Sequence, residues 1–331
     1  MRISIITPSY QQAPFLEECI RSVQGQEGAE VEHIVVDGGS TDGSKAVIER
    51  HAHGIAWWCS EPDGGQSDAL NKGLARATGD VFGWINSDDL LLPGALGRVA
   101  DAFAARPDLV VYGGQRIIRG DGPDRIHPLD DPADPERLYV APVINQQSTF
   151  YRMDAVRAVG GVDPALDHVM DHDLWLRVLL RFGTGQVRLE PGPLAVFRVH
   201  ASMKSLTAKS AFRNEMAGVL HGLCVQSGLH ALADVFMHGH QWPPGLRPIE
   251  VRPRDHDRVR RMALYFLLKW NRHIFDRGQF AMMRHFRDTV PIDPAELDAE
   301  QRGWLADIDH QLAVPNWWAF RMRRKWRHHR R

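Results

Sequence analysis

Over residues 1–90 the chain alternates between short apolar runs and amphipathic segments, and this alternation restricts the fold more than any other feature. Apolar runs at 3–7, 31–36, 55–59 and 81–85 predict strands, and segments with helical spacing separate them. Strands connected by helices pair in parallel, so we expect a doubly wound, mostly parallel α/β sheet. Polar residues beyond the carboxyl ends of these strands would then border one ligand-binding crevice.

The pattern changes in the second half of the chain. Residues 93–105 predict a helix, 109–118 a strand, 120–136 a loop rich in Pro, Asp and Gly, and 194–199 a last strand. Beyond residue 206 the helical spacing continues without strand signals. We therefore predict an α/β domain over residues 1–205 and an α-helical extension over residues 206–331.

Composition and missing motifs exclude several classes of protein. The formal net charge of -1 argues against a nucleic-acid partner. Three scattered cysteines form no zinc spacing or disulfide framework, and no apolar run approaches the roughly 18 residues of a membrane span, so we expect a cytoplasmic protein. The glycine-rich fingerprints of dinucleotide-binding and P-loop enzymes are both missing.

Two adjacent acids follow the predicted strand at 81–85, in the order Asn86, Ser87, Asp88, Asp89. Adjacent carboxylates repel each other unless a cation or abundant water separates them. Oxygen ligands of this kind suit Mg²⁺ or Mn²⁺, which often accompany a substrate diphosphate. The alternative is an acidic surface loop before the next helix, and both interpretations remain open from these residues alone.

Four motifs in order along the chain resemble those of the family 2 glycosyltransferases, which are inverting enzymes of the GT-A fold. The resemblance covers roughly residues 1–205. The motifs are Thr7-Pro8-Ser9-Tyr10-Gln11-Gln12, Asp37-Gly38-Gly39-Ser40-Thr41-Asp42-Gly43, Ser60-Glu61-Pro62-Asp63-Gly64-Gly65-Gln66-Ser67-Asp68-Ala69-Leu70-Asn71-Lys72-Gly73 and Asn86-Ser87-Asp88-Asp89.

The resemblance implies a UDP-, GDP- or dTDP-linked sugar donor and a Mn²⁺ or Mg²⁺ cofactor. It implies that Asp89 and His200 hold the metal and that Asp88 contacts the ribose or the sugar. Asn86 stands where the family commonly has an acid, so the ion would have fewer charged ligands. Without the resemblance, His200 would be interpreted as a solvated histidine at a strand end.

The resemblance also implies a set of donor-binding residues outside the acidic motif. They are Pro8, Tyr10, Asp37, Asp68 and Lys72. Gly38 stands where the family often has a second acid, which leaves the nucleobase undetermined. The alternatives are that Asp37 caps a turn and that Asp68 and Lys72, four residues apart on one helix, form a solvated ion pair.

Transfer to an alcohol also needs a group that removes the proton of the attacking hydroxyl. The segment Met170-Asp171-His172-Asp173-Leu174-Trp175 resembles the part of the family that carries this base, which implies Asp171 as the base. The alternative is a first-turn acid that stabilises the helix dipole. Asn145, Gln146 and Gln147 have amides that suit either sugar hydroxyls of an acceptor or turn formation.

The last fifteen residues, 317–331, carry seven Lys or Arg, no acid and several aromatic residues. Such a segment suits an anionic membrane surface, although a solvated basic tail fits as well. The leading hypothesis is a metal-dependent glycosyltransferase with a glycan or lipid-linked acceptor, acting at the inner face of the cell membrane in surface polysaccharide synthesis. A sugar nucleotidyltransferase and a catalytically idle nucleotide-sugar or membrane-binding scaffold are the alternatives.

Overall fold

Four parallel strands form where the apolar runs lie, and amphipathic helices separate them. The computed structural model describes residues 1–131, 133–201 and 203–328. The first elements are β1 (Arg2–Ser9), α1 (Ala13–Gln24), β2 (Glu30–Asp37), α2 (Ser44–His51), β3 (Trp57–Ser60), α3 (Gln66–Leu74) and β4 (Val81–Trp84). The parallel strands lie in the order β3-β2-β1-β4, so their carboxyl ends share one edge of the sheet.

The next elements extend this sheet with mixed pairing. They are β5 (Leu90–Leu91), α4 (Ala95–Ala105), β6 (Val111–Arg119), β7 (Arg125–His127), α5 (Arg137–Val140), β8 (Thr149–Arg152), α6 (Met153–Ala158), α7 (Met170–Phe182) and β9 (Val187–Arg198). Over the described residues the sheet has nine strands in the order β3-β2-β1-β4-β8-β6-β9-β5, with β7 beside β6. Strand β8 pairs antiparallel with both β4 and β6, whereas β6 and β9 are parallel. The predicted α/β class is confirmed.

One prediction about this half of the chain is wrong. The segment 120–136, predicted as a loop, contains β7, which pairs antiparallel with β6 through Ile117 and Ile126. Ile126 is 59% exposed, so the strand owes its existence to backbone pairing with β6 rather than to a buried face.

Apolar side chains fill both sides of the sheet. One cluster joins Ile3 and Ile5 of β1 to Leu96, Val99 and Phe103 of α4. A second cluster joins Leu16 and Ile20 of α1 to Val35 of β2 and to α2. Because helices cover both faces, the polar residues that end the strands are left at the carboxyl edge of the sheet.

The chain divides into two compact units, Met1–Phe212 and Arg213–Arg331. The remaining helices are α8 (Lys204–Thr207), α9 (Lys209–Gln226), α10 (His230–Gly239), α11 (His256–Asn271), α12 (Arg277–Thr289), α13 (Ala299–Leu312) and α14 (Trp317–His328). The described part of the second unit contains helices and no strand, which confirms the predicted helical extension. Among the described residues, no helix has the length and apolar character that crossing a bilayer requires.

The predicted membrane-binding tail is only partly described. Trp317 and Phe320 of α14 pack against Phe280 of α12, with ring centroids 6.0 and 5.6 Å from that of Phe280. Trp318 and Met322 are about 60% exposed. His329, Arg330 and Arg331 lie outside the described residues.

Candidate active site

A cavity of about 680 Å³ lies at the carboxyl edge of the sheet in the first unit. Its wall includes Pro8 from the end of β1, Gly38 after β2, and Asp88 after β4. Asp171 from the first turn of α7 and Arg116 from β6 line it as well. The edge at which sequence analysis expected a ligand is therefore a real concavity that contains charged groups.

Asp88 lines this cavity and forms a pair with His200. The Nε2 of His200 lies 3.0 Å from the Oδ2 of Asp88, and the His200 ring stacks on Phe15 at 4.5 Å between centroids. The two side chains are 20% and 14% exposed, respectively. A carboxylate oxygen from the loop after β4 and an imidazole nitrogen from the segment after β9 thus converge, which is a donor set suited to a divalent cation.

Asp89 has different surroundings from its neighbour. It is fully buried, its Oδ2 accepts a hydrogen bond from the Gln147 side-chain amide at 2.7 Å, and its Oδ1 accepts one from the Arg198 backbone N–H at 3.0 Å. Burial, followed by the charge of Asp88, raises the pKa of Asp89 above its usual range. Asp88 lines the cavity and Asp89 does not, while the predicted roles, Asp89 at the metal and Asp88 at the ribose or sugar, stay predictions.

Asp171 has one carboxylate oxygen held by the protein and one turned to the cavity. Its Oδ1 accepts a hydrogen bond from the His172 backbone N–H at 2.9 Å and lies 3.3 Å from the ring Nδ1 of His172. No side chain of a described residue donates a hydrogen bond to its Oδ2, and the Asp171 side chain is 22% exposed. Burial acts to raise the pKa of Asp171, but the charge and hydrogen bonds of His172 outweigh it, so the net pKa lies below the ordinary value.

Two neighbours of Asp171 in α7 have structural contacts. Asp173 is buried and accepts a hydrogen bond from the Arg177 Nε at 2.7 Å. The indole N–H of Trp175 donates to the Leu138 carbonyl at 2.7 Å, and the ring is buried in the core. Of the two acids in the first turn, only Asp171 lines the cavity.

The three predicted acceptor-binding amides divide into two groups. Gln146 and Gln147 line the cavity; the Gln146 amide donates to the Trp84 carbonyl at 2.7 Å, and Gln147 donates to Asp89. Asn145 is not in the cavity wall; its amide donates to the carbonyls of Gly114 and Pro128, at 3.2 and 3.1 Å. Asn145 therefore holds neighbouring backbone segments together.

Some of the predicted donor-binding residues line the cavity and others do not. Pro8 and Tyr10 line the cavity, and Tyr10 is 63% exposed. Asp37 is buried and outside the wall; its Oδ2 accepts hydrogen bonds from the Ser40 N–H at 3.0 Å and the Ser60 hydroxyl at 2.6 Å, which is a turn-capping arrangement.

Asp68 and Lys72 of α3 are also outside the cavity wall. The Nζ of Lys72 lies 3.6 Å from Asp68 Oδ2 and donates a hydrogen bond to Glu61 Oε1 at 3.2 Å. Asp68 Oδ2 accepts a hydrogen bond from the Gly64 N–H at 3.0 Å. These two side chains connect α3 to the loop before it.

Several charged residues in the cavity wall, Asp167 and Lys204 among them, were not predicted from the sequence. Two others have contacts that bear on the chemistry of the site. The first is Asp63: its Oδ1 accepts from the Gly65 N–H at 2.9 Å, and no described residue donates to its Oδ2. A Cβ on Gly38 would lie 3.1 Å from that Oδ2, so the missing side chain of Gly38 leaves room for the Asp63 carboxylate. Asp63 lies within the motif at residues 60–73, so the sequence did contain a signal that this residue belongs to the site.

The second is Arg116. Its guanidinium lies over the Phe197 ring at 4.8 Å and donates from Nη1 to Gln147 Oε1 at 3.3 Å, while its buried Nε has no hydrogen-bond partner. Burial lowers the pKa of Arg116, and the nearby charges of Asp89 and Asp171 oppose that shift. A single Arg in a strand offers no sequence signal of such a position.

Comparisons with known proteins agree on one family. The model described as Glycosyl transferase family 2 matches residues 4–160. An uncharacterized glycosyltransferase of Mycobacterium tuberculosis is 32% identical over 215 residues, which are 59% of this chain and 80% of that protein. The O-antigen biosynthesis protein RfbC of Myxococcus xanthus is 32% identical over 183 residues, 53% of this chain and 14% of that protein.

Two solved structures that match this chain are complexes with nucleotide-sugars. Residues 1–349 of Staphylococcus aureus TarS in complex with UDP-GlcNAc match 94% of this chain and 89% of theirs, with a TM-score of 0.64 and 15% identity. A mannosyltransferase of Pyrobaculum calidifontis in complex with GDP-Man and Mn²⁺ matches 94% of this chain and 86% of its own, with a TM-score of 0.52 and 17% identity. These likenesses show that the fold is of the GT-A type.

Proposed function

The chain belongs to glycosyl transferase family 2, and from that premise we propose that it is a metal-dependent, inverting enzyme that transfers a sugar from a nucleoside diphosphate to a hydroxyl of a glycan or lipid-linked acceptor. The observation that carries the proposal is that Asp88, paired with His200, and Asp171 with its unpartnered oxygen belong to one cavity. One end can bind the leaving diphosphate through a cation, and the other can accept a proton.

For the metal we propose Asp88 and His200 rather than Asp89. Asp88 lines the cavity and its Oδ2 is paired with His200, whereas Asp89 is outside the cavity wall and both of its oxygens accept hydrogen bonds in the interior. Asp89 would then position Gln147 and the Arg198 backbone around the site. An imidazole ligand fits Mn²⁺ better than Mg²⁺, which prefers oxygen donors only. A cation bound there would neutralise the charge that develops on the leaving diphosphate.

For the attacking group we propose Asp171 as the base. Direct displacement at the anomeric carbon needs the acceptor hydroxyl and the leaving diphosphate on opposite sides of the sugar. Asp171 would accept the hydroxyl proton at Oδ2, while His172 holds Oδ1 in place. A lowered pKa keeps the carboxylate ionised near neutral pH, so it can accept a proton. Gln146 and Gln147 would orient the sugar between these groups.

For the donor we propose a nucleotide-sugar in the part of the cavity formed by Pro8, Tyr10, Gly38 and Asp63. This rests on the exposed Tyr10 ring beside a concave wall and on the nucleotide-sugar complexes of TarS and of the P. calidifontis mannosyltransferase. The O-antigen biosynthesis relative supports a role in surface polysaccharide synthesis.

Thermal unfolding with ligands tests the proposal. A panel of UDP-, GDP- and dTDP-sugars is added with Mn²⁺, and one class should raise the melting temperature, because a ligand at 100 times its Kd stabilises the fold by about 2.7 kcal/mol. EDTA should remove most of the shift. Asp88→Asn and His200→Ala should also reduce it, whereas Asp68→Asn, outside the cavity, should not.

Two outcomes would contradict the proposal. The metal assignment fails if Asp88→Asn and His200→Ala keep the full Mn²⁺-dependent shift. Sugar transfer fails if the chain releases pyrophosphate from a nucleoside triphosphate and a sugar phosphate, because that is the reaction of the nucleotidyltransferase alternative.

We also propose that the enzyme acts at the cytoplasmic membrane surface through residues 317–331. The exposed Trp318 and Met322 of α14 support this, together with the seven Lys or Arg of the segment, each worth about 1 kcal/mol near an anionic bilayer. Sedimentation with anionic vesicles should pull down the full chain but not a chain ending at residue 316. Equal sedimentation of both, or none with anionic lipid, would contradict the proposal.

A further inference from the structure

Three side chains on two neighbouring helices of the second unit form a cluster unrelated to the cavity. Asp234 and His238 belong to α10, and His285 belongs to α12. Within the part of the chain that the structure describes, they are the one group of three or more His, Cys, Asp or Glu residues whose donor atoms all lie within 4.8 Å of one another.

The backbone holds these side chains in place from both sides. Asp234 and His238 are four residues apart and so share one face of α10. Helix α12 approaches α10 so closely that a Cβ on Gly239 would lie 2.0 Å from the Met282 sulfur. Met282 and Phe286 of α12 are buried. The cluster therefore lies on two rigid helices rather than on loops, as precise ligand geometry requires.

Hydrogen bonds determine which imidazole atoms are free. The Nδ1 of His238 lies 2.9 Å from the Asp234 backbone carbonyl, and because a carbonyl oxygen only accepts, Nδ1 carries the proton. The lone pair of the neutral His238 ring is then on Nε2, and Nδ1, which lies 3.7 Å from Asp234 Oδ1, would have to lose its proton to bind a metal ion. A ring N–H donated to a carbonyl is the usual support of a metal-binding histidine. The His285 Nε2 lies 2.6 Å from the Asp234 Oδ2.

The two imidazole rings are stacked, with centroids 4.0 Å apart and planes inclined by 28°. Two imidazolium ions at this distance would repel each other, whereas two neutral rings can both bind one divalent ion. The side chains of Asp234, His238 and His285 are 55%, 49% and 26% exposed, so an ion can reach them from solvent.

We propose that Asp234, His238 and His285 bind Zn²⁺ and that the ion ties α10 to α12. Two imidazole nitrogens and one carboxylate oxygen suit Zn²⁺, and not Mg²⁺ or Ca²⁺, which prefer oxygen. Tetrahedral bonds of about 2.0–2.1 Å separate the ligand atoms by about 3.3 Å, so side-chain rotations suffice to close the site. Water would occupy the fourth position. This proposal does not rest on the proposed function.

Calorimetric titration of the untagged, metal-free full chain with Zn²⁺ tests the site. His200→Ala serves as the background, because it removes the histidine of the first-unit pair. This protein should bind one Zn²⁺ per chain, and adding His238→Ala or His285→Ala should weaken binding roughly tenfold or more. Co²⁺ bound in place of Zn²⁺ should give visible absorption bands that both variants lose.

The control is His230→Ala, an exposed histidine at the start of α10 outside the cluster. It should leave the Zn²⁺ affinity unchanged, and a melting curve without metal shows whether each variant is folded. The proposal is overturned if the His200→Ala protein binds no Zn²⁺, or if folded His238→Ala and His285→Ala proteins bind it as tightly as the background.

Discussion

Asp171 lines the cavity, and His172 of α7 contacts only its Oδ1. A substitution that removes the ability of Asp171 to accept a proton therefore tests its proposed role as the base. Asp171→Asn keeps the shape and the hydrogen bond from the His172 N–H but cannot accept a proton. Turnover should fall by about 10²–10⁴-fold, the usual contribution of a positioned base. Nucleotide-sugar binding, measured by calorimetry with Mn²⁺, should stay within a factor of two or so of the parent.

Asp154→Asn is the matched control, since Asp154 is an exposed acid in the first turn of α6 and is not part of the cavity wall. It should leave both turnover and binding unchanged. Full activity in Asp171→Asn would show that another group takes the proton.

A second prediction for a single residue concerns Asp63 of the proposed nucleotide site and the choice of nucleobase. Its free oxygen can accept a ring N–H, as in uracil, thymine or guanine, but repels the ring lone pair that cytosine and adenine present there. The parent should therefore bind UDP, dTDP or GDP more tightly than CDP and ADP. Asp63→Asn, whose amide can donate as well as accept, should reduce that preference roughly tenfold.

Equilibrium binding of the five nucleoside diphosphates measures this preference. Asp68→Asn, five residues along the chain and outside the wall, should keep the parental order of affinities. An unchanged order in Asp63→Asn would assign the choice of base to other residues.

Asp88 and Asp89 illustrate what a sequence can and cannot predict about a site. The acidic pair at a strand end and the presence of Asp171 were predictable, because local patterns and motifs carry them. Which aspartate faces the cavity was not, because the partners of Asp89 are Gln147 and the Arg198 backbone, 58 and 109 residues away. Arg116 was missed for the same reason, since sheet order alone places β6 beside the cavity.

At the scale of elements, local signals predicted the strands with buried faces and failed where pairing supplies the stability. β1, β2 and β4 coincide with apolar runs, and the helical extension followed from spacing alone. β7 has a largely exposed sequence and exists because β6 offers it a backbone partner. A local pattern cannot predict a partner that the fold provides.

Helix α13 supports a prediction at this scale, because it begins with a capping box. The Asp298 side chain accepts from the Gln301 N–H at 2.8 Å, and the Gln301 side chain accepts from the Asp298 N–H at 3.4 Å. Asp298→Ala should lower the free energy of unfolding by about 1 kcal/mol. Urea denaturation measures the loss, and Asp307→Ala, an exposed acid within α13, should change stability by less than about 0.5 kcal/mol. An equal loss in both variants would contradict a capping role.

At the scale of the whole molecule, buried histidines make stability depend on pH. His33 of β2 is 2% exposed, its Nε2 lies 3.0 Å from the Thr7 hydroxyl, and its Nδ1 is buried without a partner. Burial lowers the pKa of His33 to about 3 from an ordinary value of 6.5. Between these values the unfolded chain binds a proton here that the folded chain does not.

The free energy of unfolding should therefore decrease as pH falls below 6.5, by about 1.4 kcal/mol per pH unit from this residue. Urea denaturation at pH 7.5, 6.0 and 5.0 measures it. His33→Gln cannot titrate, so its stability should fall less steeply, although other buried histidines such as His240 continue to contribute. His53→Gln, an exposed control, should keep the parental slope. A neutral His33 in the folded protein predicts that the slope of stability against pH is smaller in His33→Gln than in the parent. If His33→Gln kept the parental slope, the acid sensitivity would belong to other groups.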